Sequence, residues 1–390
     1  MRVVGMISGT SMDGIDIAAA DFQLESDRVE MAPLGTMAVP YHPDLRSDLE
    51  AALPPSATTA ETICRLDNEV GRAFAQAATR ALDLEGRGAH LVVSHGQTLY
   101  HWIEQGRARG TLQIGQPAWI AEATGLPVVA DLRTADVAAG GQGAPLAAIF
   151  DVLLLGGRDR VCAALNLGGI ANVTVVGPGA GPIAFDTGPG NTLIDAAVRH
   201  LTGEAFDRQG GMARRGTIHQ PLLNHLLSES YYRALPPKTT GRELFHLPYL
   251  LKAVADAGPV GPEDLVATVT ALTARTVADA CRGLGVEEVI VSGGGAENPF
   301  LLELLSAELT GTTVQTIDGL GVPAAFKEAY FIALIGFLTI NGLPGNVPAA
   351  TGARRPAILG SIATGPTVPE WPAPAKVIPR TLQIVDRAQR

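Results

Sequence analysis

The alternation of apolar runs and turn residues predicts strands and helices along the first part of the chain. Two β-prone runs, residues 3–7 and 15–22, flank a turn bounded by glycines and therefore predict a hairpin. A third such run covers 31–39. From about 59 to 82, apolar residues recur at spacings of three and four, which is typical of an amphipathic helix. A buried strand at 91–93 follows, so the pattern indicates an α/β fold.

The second part of the chain repeats this order of elements. Residues 161–165 and 170–176 predict another hairpin, and 183–185 predict a third strand. A periodic helix at about 262–281 then precedes a strand at 289–291. The repeated order favours a duplicated α/β domain, although glycine-rich turns also recur in unrelated α/β proteins.

The pattern also predicts domain bounds. We expect a first domain of residues 1–132 with about 350–365, and a second of 133–349 that carries an insertion at about 201–250. The proline-rich residues 366–390 predict a loosely held tail. In such a pair of domains, turns at the strand ends would face one another across a cleft, the usual ligand position in open α/β sheets.

Composition and charge indicate what kind of molecule the protein binds. The chain has 390 residues, 46% of them hydrophobic, 17% charged, and a net charge of -10, which argues against a nucleic-acid-binding face and favours a small-molecule partner. No secretion signal or membrane span is apparent. The cysteines, Cys64, Cys162 and Cys281, are too far apart for a Cys-x-x-Cys metal site, so a reducing cytoplasm is expected.

The turn of residues 9–14 is the first candidate for chemistry. Gly9 and Gly14 can adopt positive φ and leave the backbone uncovered, so that N–H groups converge on an anion. Thr10 and Ser11 add hydroxyl donors. A phosphate site is therefore one interpretation, and a tight hairpin with a polar tip is the other.

Seven motifs in order resemble one known family. The chain is similar to the anhydro-N-acetylmuramic acid kinase family from its first strand to about Gly360, through residues 9–16, 94–98, 113–115, 140–145, 166–172, 185–191 and 292–298. The resemblance implies an actin, hexokinase and Hsp70 type of fold. That fold has two duplicated ribonuclease H-like domains that flank a cleft holding ATP.

The resemblance also implies which residues bind the nucleotide. Two phosphate turns and an adenosine segment would bind ATP through Gly9, Thr10, Ser11, Asp13, Gly14, Gly168, Gly169, Asn172, Gly293, Gly294, Gly295 and Asn298. Magnesium would accompany the nucleotide, and Asp13 and Asp16 could hold it through water. Capping of the turn by Asx hydrogen bonds is the alternative role of these two carboxylates.

The implied reaction opens a 1,6-anhydro bridge while phosphate is added. Water attacks C1, the bridging oxygen leaves as O6, and O6 takes the γ-phosphoryl group of ATP. One carboxylate base for water would suffice, because the phosphoryl group replaces the proton that a glycosidase gives to the leaving oxygen. Asp186 is the candidate base, since it ends a strand and precedes Gly188 and Gly190. Its alternative role is to cap the helix expected at about 191–201.

The resemblance places further residues near the sugar. Glu328 would orient the sugar or the water, although a helical glutamate beside Lys327 is ordinarily a solvated surface residue. Arg133 is the candidate partner for the lactyl carboxylate, because a guanidinium can grip a carboxylate through two parallel hydrogen bonds. A salt bridge of Arg133 to Asp131 or Asp136 is the alternative.

Three other features complete the expected site. His95 and Gln97 are expected to line the sugar pocket. Many relatives carry an acidic residue where this chain has Gln116, so a sugar contact there is not expected to carry over. The segment of residues 236–243 lies in the insertion, and its basic residues could approach the nucleotide or a partner subunit.

The main hypothesis is an ATP- and Mg²⁺-dependent kinase that converts anhydro-N-acetylmuramic acid to N-acetylmuramic acid 6-phosphate in recycling of cell-wall fragments. A related kinase or ATPase acting on another acidic sugar is the second hypothesis. A nucleotide-dependent sensor without catalysis is the third, and the presence of Asp186 argues against it. The partner is an amino sugar, with no nucleic acid or membrane, and the resemblance favours a cytoplasmic homodimer.

Overall fold

The computed structural model describes residues 1–9, 11–84, 88–236, 238–241, 243–366 and 371–386. The chain forms two compact units, Met1–Leu154 with Phe326–Arg390, and Leu155–Ala325. The predicted domains, residues 1–132 with about 350–365 and residues 133–349, stay a prediction.

The strands form two sheets. They are β1 (Arg2–Ser8), β2 (Gly14–Glu25), β3 (Arg28–Pro40), β4 (Leu91–Glu104), β5 (Arg107–Ile114), β6 (Val128–Ala130), β7 (Cys162–Leu167), β8 (Ile170–Val176), β9 (Ile183–Pro189), β10 (Glu288–Ser292), β11 (Thr313–Thr316), β12 (Ser361–Ala363) and β13 (Thr381–Ile384). The first unit holds the order β12-β6-β4-β1-β2-β3-β13, with β5 paired to β4, and the second holds β11-β10-β7-β8-β9.

The two sheets share one topology. In the first, β2 is antiparallel to β1 and β3, while β4 is parallel to β1 and β6. In the second, β8 is antiparallel to β7 and β9, while β10 is parallel to β7 and β11. Once β5 and the edge strands β12 and β13 are set aside, the strands of both sheets have the same spatial order relative to their order in the chain. The prediction of a duplicated α/β fold is therefore confirmed.

Helices connect and cover the strands. They are α1 (Pro43–Ala51), α2 (Ala60–Ala81), α3 (Pro117–Thr124), α4 (Thr134–Ala138), α5 (Ala148–Leu155), α6 (Thr192–Thr202), α7 (Gly211–Arg215), α8 (Gln220–Leu227), α9 (Leu247–Ala257), α10 (Pro262–Gly283), α11 (Pro299–Glu308), α12 (Lys327–Ile340) and α13 (Pro348–Thr351). Within the described ranges, none has both the length and the apolar character that crossing a bilayer requires.

The helix predicted at about 59–82 is α2. Thr59 caps it, because its hydroxyl accepts a hydrogen bond of 3.1 Å from the Thr62 backbone N–H. Its apolar stripe, with Leu66, Val70 and Phe74 fully buried, packs in the core of the first unit. The cap at Thr59 and the spacing of apolar residues therefore predict the same helix that packs in the core.

Helix α12 lies close against the first sheet. A Cβ on Gly5 of β1 would overlap the Ala329 carbonyl oxygen, and one on Gly336 would overlap the Val93 side chain. Because glycine lacks a Cβ, these positions allow the helix backbone to approach the strands. This packing places the first turn of α12, with Glu328, in the first unit.

The expectation of a loosely held tail is wrong for part of residues 366–390. Strand β13 pairs in parallel with β3, from Thr381 opposite Arg28 to Ile384 opposite Met31. Leu382 is buried in this pairing. The edge of β3 offers backbone hydrogen bonds, and β13 itself contains no proline that would remove a donor.

Candidate active site

The turn between β1 and β2 takes its shape from more than its glycines. Met12 provides the left-handed conformation, with φ of 51°, and its side chain is buried. Neither Gly9 nor Gly14 lies in that region. Gly14 is required because a Cβ there would lie 2.5 Å from the Val39 carbonyl oxygen. Thr10, a predicted ATP ligand, lies outside the described residues.

Gln97 anchors this turn. The Ser8 hydroxyl donates a hydrogen bond of 2.6 Å to Gln97 Oε1, and Gln97 Nε2 donates one of 3.2 Å to the Gly9 carbonyl. The Gln97 side chain is buried. Both ends of its amide are therefore used to hold the turn, and its predicted contact with a sugar stays a prediction.

A pocket of about 530 Å³ in the first unit brings many of the predicted residues together. It combines the first turn, the end of β1, part of β3 and the start of α12. Its lining includes Gly9, Ser11, Asp13, Gly14, Asp16, His95, Arg133, Glu328 and Phe331. Residues predicted to bind phosphate and residues predicted to bind sugar thus line one pocket, although Gly9 and Glu328 are over 300 positions apart in the sequence.

Arg133 and His95 form the basic side of the pocket. Arg133 Nε and Nη2 lie 3.3 and 3.1 Å from His95 Nε2. Burial and the nearby guanidinium hold the pKa of His95 well below its usual range. His95 is therefore neutral, and its Nε2 accepts from Arg133 while Nδ1 carries the proton.

The alternative salt bridges of Arg133 are not formed in the part of the chain that the structure describes. Asp131 accepts a hydrogen bond of 2.5 Å from the Thr134 hydroxyl. Asp136 is buried and binds other donors. Arg133 Nη1 instead donates a bond of 2.8 Å to the Gly143 carbonyl. The guanidinium thus keeps its charge without a carboxylate of its own within ion-pair distance.

Carboxyl groups also line this pocket. Burial, followed by the charges of Asp13 and Glu328, raises the pKa of Asp16 to about 6. Burial also raises the pKa of Glu328, while Arg133 and Lys327 oppose this shift. Asp13 accepts a hydrogen bond of 2.8 Å from the Ser11 hydroxyl. Negative charge therefore accumulates beside the first turn.

This set of oxygens fits magnesium held through water. Repulsion among Asp13, Asp16 and Glu328 would be relieved by a divalent cation, and carboxylate oxygens are ligands that Mg²⁺ prefers. Among the residues described, no three acidic, histidine or cysteine side chains lie close enough to ligate a metal directly. Contact of Asp13 and Asp16 with magnesium through water stays a prediction.

Glu328 differs from an ordinary surface glutamate. It is exposed and lines the pocket, while the residues on either side of it, Lys327 and Ala329, are buried. The preceding residue, Lys327, forms a buried ion pair of 2.6 Å with Asp151 of α5. This pair fixes the start of α12 and therefore the direction of Glu328.

Asp186 lies in β9 of the second unit. Its Oδ2 accepts hydrogen bonds of 2.8 Å from the Thr239 hydroxyl and 3.0 Å from the Thr240 backbone N–H. Burial raises its pKa, and these two bonds oppose the shift. Helix α6 begins after Asn191, so the alternative role of Asp186 as a helix cap is wrong.

The segment of residues 236–243 supports Asp186. Lys238 Nζ donates hydrogen bonds of 3.2 Å to the carbonyls of Tyr231 and Tyr232. The Tyr231 hydroxyl in turn donates one of 2.7 Å to the Asp186 carbonyl. Lys238 thus holds the segment that presents Thr239 and Thr240. Pro237 and Arg242 lie outside the described residues.

The second glycine turn is tied to the start of α6. Asn191 Nδ2 donates to the carbonyls of Leu167 and Gly168 at 3.0 and 3.1 Å, and the Thr192 hydroxyl donates to Gly169 at 2.7 Å. Asn172, the last predicted residue of this turn, lies in β8 opposite Asp186. The turn and the candidate base are therefore neighbours in one sheet.

The segment of residues 293–295 packs against the end of β7. A Cβ on Gly293 would lie 2.5 Å from Asn166 Oδ1, and one on Gly295 would lie 2.6 Å from Leu167 Cβ. Gly293 has φ of 83°, so glycine is needed there for two reasons. Asn298 caps α11, since its Oδ1 accepts a bond of 3.1 Å from Leu301 N–H.

A pocket of about 580 Å³ in the second unit adds residues that the sequence did not indicate. Gly294 and Asn298 line it, as do Phe206 and Arg208 from the insertion. The Arg208 guanidinium lies 5.3 Å from the centre of the Phe206 ring. An aromatic ring suits a flat ligand group such as a nucleobase, and Arg208 is the cation of a lining that also carries the carboxylates of Asp195, Asp207 and Glu297. No periodicity or motif marks these two residues in the sequence.

Comparison with known proteins identifies the family of the chain. The family model for anhydro-N-acetylmuramic acid kinase matches residues 1–365. A protein of that name from Streptomyces coelicolor is 57% identical over 388 residues, which are 99% of this chain and 99% of the relative. Another from Rhodococcus erythropolis is 53% identical over 94% of each. Among solved structures, a ROK hexokinase from Thermus thermophilus matches with 18% identity and a TM-score of 0.35, over 86% of this chain and 99% of that one.

Proposed function

The chain belongs to the anhydro-N-acetylmuramic acid kinase family, and we propose that it opens 1,6-anhydro-N-acetylmuramic acid and phosphorylates it at O6 with ATP, in recycling of cell-wall fragments. The observation that carries this proposal is the pocket of the first unit. Arg133, His95 and Glu328 line this pocket together with residues of the turn, Gly9, Ser11, Asp13 and Gly14.

The proposed reaction balances without a further reactant. Water attacks C1 and forms the C1–O bond, while the C1–O6 bond of the anhydro bridge breaks. O6 then takes the γ-phosphoryl group, and the bond between that group and ADP breaks. The proton of the attacking water passes to a carboxylate base. The products are N-acetylmuramic acid 6-phosphate, ADP and one proton.

Asp186 is the proposed base. The hydroxyl of Thr239 and the N–H of Thr240 both bind Oδ2, so the other carboxylate oxygen, Oδ1, remains for water. The raised pKa of Asp186 makes the carboxylate a stronger base than an exposed aspartate. Glu328 is proposed to orient the sugar or the water from the start of α12.

Arg133 is the proposed partner of the lactyl carboxylate. Its guanidinium is half-buried, charged and fixed by His95 and Gly143, and it keeps N–H groups for a ligand. His95, neutral beside it, adds no competing charge. An acidic sugar therefore gains an ion pair that a neutral sugar lacks.

ATP is proposed to bind through the turns of residues 9–14 and 166–172 and through residues 293–295. Bound Mg²⁺ would neutralise phosphate charge and favour phosphoryl transfer. Asp13 and Asp16 are the residues proposed to hold it through water. Phe206 and Arg208 are proposed additional contacts to the nucleotide.

The chain is further proposed to act in the cytoplasm as a homodimer. The basis is the family resemblance of the sequence. Light scattering after size-exclusion chromatography would give the mass directly, to be compared with 40.5 kDa for one chain.

The test of the function is an assay with ATP, 1,6-anhydro-N-acetylmuramic acid and ¹⁸O-labelled water, read by mass spectrometry. We expect a sugar phosphate that carries one heavy oxygen at C1. Consumption of ATP without labelled sugar phosphate would reject this substrate. In that case other acidic sugars become the candidates, and consumption of no ATP with any of them would favour a sensor.

A further inference from the structure

Asp136, at the start of α4, is a buried carboxylate at the centre of a small network. Its side chain is 0% exposed. Oδ1 accepts hydrogen bonds of 2.6 Å from Asn346 Nδ2 and 2.7 Å from the Thr351 hydroxyl. Oδ2 accepts one of 2.8 Å from the Gly143 backbone N–H. A buried carboxylate requires such donors, because burial without them is costly.

The network continues directly to Arg133. The Gly143 peptide that gives its N–H to Asp136 gives its carbonyl to Arg133 Nη1, at 2.8 Å. One peptide group therefore lies between the buried carboxylate and the guanidinium. Its orientation decides where Arg133 Nη1 is held, and Asp136 fixes that orientation.

The loop around this peptide is fitted to the carboxylate. A Cβ on Gly141 would overlap Asp136 Oδ2, so the loop can close over the side chain only with glycine there. The Gln142 N–H donates a bond of 2.8 Å to the Thr351 carbonyl, which holds the loop from its other side. The carboxylate, the loop and residues 346–351 thus form one packed unit.

We infer that Asp136 is a positioning residue for Arg133, which it orients through the Gly143 peptide, so that recognition of the substrate carboxylate depends on Asp136. The inference rests on the proposed function, in which Arg133 binds the lactyl carboxylate. Asp136 touches no substrate and takes no part in proton transfer. Its effect falls on the affinity for an acidic sugar.

An exchange of two side chains tests the network. In Asp136→Asn, the amide Nδ2 opposes the Gly143 N–H if the amide oxygen keeps Asn346 and Thr351 as donors, and it opposes Asn346 Nδ2 if the amide is turned the other way, so the bond to Gly143 is lost or is kept only against a pair of opposed donors. In Asn346→Asp, two carboxylates face each other. The double exchange restores a donor at 136 and an acceptor at 346, whose second oxygen can still accept from Ala357 N–H as Asn346 Oδ1 does at 2.7 Å.

The readout is the KM for 1,6-anhydro-N-acetylmuramic acid compared with that for its lactyl carboxamide. For Asp136→Asn we expect a KM about 10-fold higher for the acid, as for one lost charge-assisted bond, and a change under about 3-fold for the carboxamide. The double exchange should recover most of the affinity. Equal losses for both sugars, or no recovery in a folded double variant, would overturn the inference.

Further variants keep the outcome decisive. If Asp136→Asn does not fold, Thr351→Val removes one donor only, and the same selective rise in KM is expected; an unchanged KM would reject the role of Asp136.

Asp21→Asn makes the same chemical change at an ion pair elsewhere in the first unit and should leave both KM values unchanged. If Arg133→Ala retains wild-type KM for the acid, the proposed function of Arg133 fails, which is a separate result.

Discussion

At the scale of single residues, environment separates two aspartates that look alike in the sequence. Asp186 has two donors that stabilise its charged form. Asp16 faces the charges of Asp13 and Glu328 instead. The first arrangement suits a base whose position is fixed, and the second suits a group that a cation stabilises. Each arrangement makes its own prediction.

Asp186→Asn should lower kcat by about two orders of magnitude or more, because it removes a general base. Its amide oxygen can still accept a bond from Thr239 or Thr240, so the fold and ATP affinity should persist. Steady-state kinetics and calorimetric ATP titration measure the two quantities. Asp256→Asn, at an exposed ion pair of the same unit, is the control. Wild-type turnover in the Asp186 variant would contradict the assignment.

Asp16 makes stability depend on pH. Its folded pKa of about 6 lies above the ordinary 3.8, so between these values the folded protein binds more protons than the unfolded one. This group therefore lowers the free energy of unfolding as pH rises from about 4 to 6. Asp16→Asn should gain thermal stability over the wild type across that interval and keep the gain above it.

Thermal unfolding at a series of pH values measures this difference without any ligand. Asp83→Asn, at an exposed position away from the pocket, is the matched control. A stability difference for Asp16→Asn that does not grow between pH 4 and 6 would show that Asp16 remains ionised throughout, and would contradict the raised pKa.

At the scale of elements, the contact between α12 and the first sheet positions Glu328. Gly336→Ala should lower the free energy of unfolding by about 1–3 kcal/mol, because the added methyl overlaps Val93. Adding Val93→Ala removes the overlapping atoms, so the double variant should lose less than the sum of both single losses. Denaturant unfolding of the four proteins gives the comparison.

A second helix supplies the control for this experiment. Gly283 of α10 has open space where a Cβ would be, so Gly283→Ala should leave stability unchanged or raise it by about 0.5–1 kcal/mol. If both glycine variants behave alike, helix propensity rather than close approach governs Gly336, and the account of α12 is wrong.

At the scale of the whole molecule, each unit contributes a pocket of different chemistry. The first unit places the half-buried Arg133 beside carboxyl groups, and the second places Phe206 and Arg208 beside Gly294. Arg208→Ala should therefore raise the KM for ATP about 3- to 10-fold, as for a lost partly exposed cation contact, and leave the KM for the sugar unchanged. Initial rates at varied ATP and sugar test this division. A rise in the sugar KM alone would contradict it.

Much of the fold follows from local patterns. The spacing of apolar residues located α2 and α10, and the repeated order of strands and turns anticipated two sheets of one topology. These features depend on neighbours within a few positions, which the sequence displays directly. Strand β13 did not emerge in this way, because its pairing with β3 joins residues over 350 positions apart.

The residues of the candidate site also fall into two groups, those that local motifs indicate and those that only tertiary packing reveals. Residues in compact motifs, such as Asp13, Asp186 and Gly293, could be named from the sequence. Phe206 and Arg208 could not, since only packing of the insertion brings them beside Gly294. The sequence also left Arg133 with a choice of partners, which the distances to His95 and Gly143 resolve.

By itself, the sequence determined much of the secondary structure, the duplication and the family, because periodicity, capping and motif order are properties of short stretches. Tertiary structure alone decided the state of the charged groups. Asp136, Asp16 and Asp186 are the same residue type, yet their environments differ. Asp136 is fully buried and accepts three hydrogen bonds, burial and then the charges of its neighbours raise the pKa of Asp16, and two threonines bind the carboxylate of Asp186. Burial and nearby charge set these differences, and both arise only when distant segments pack together.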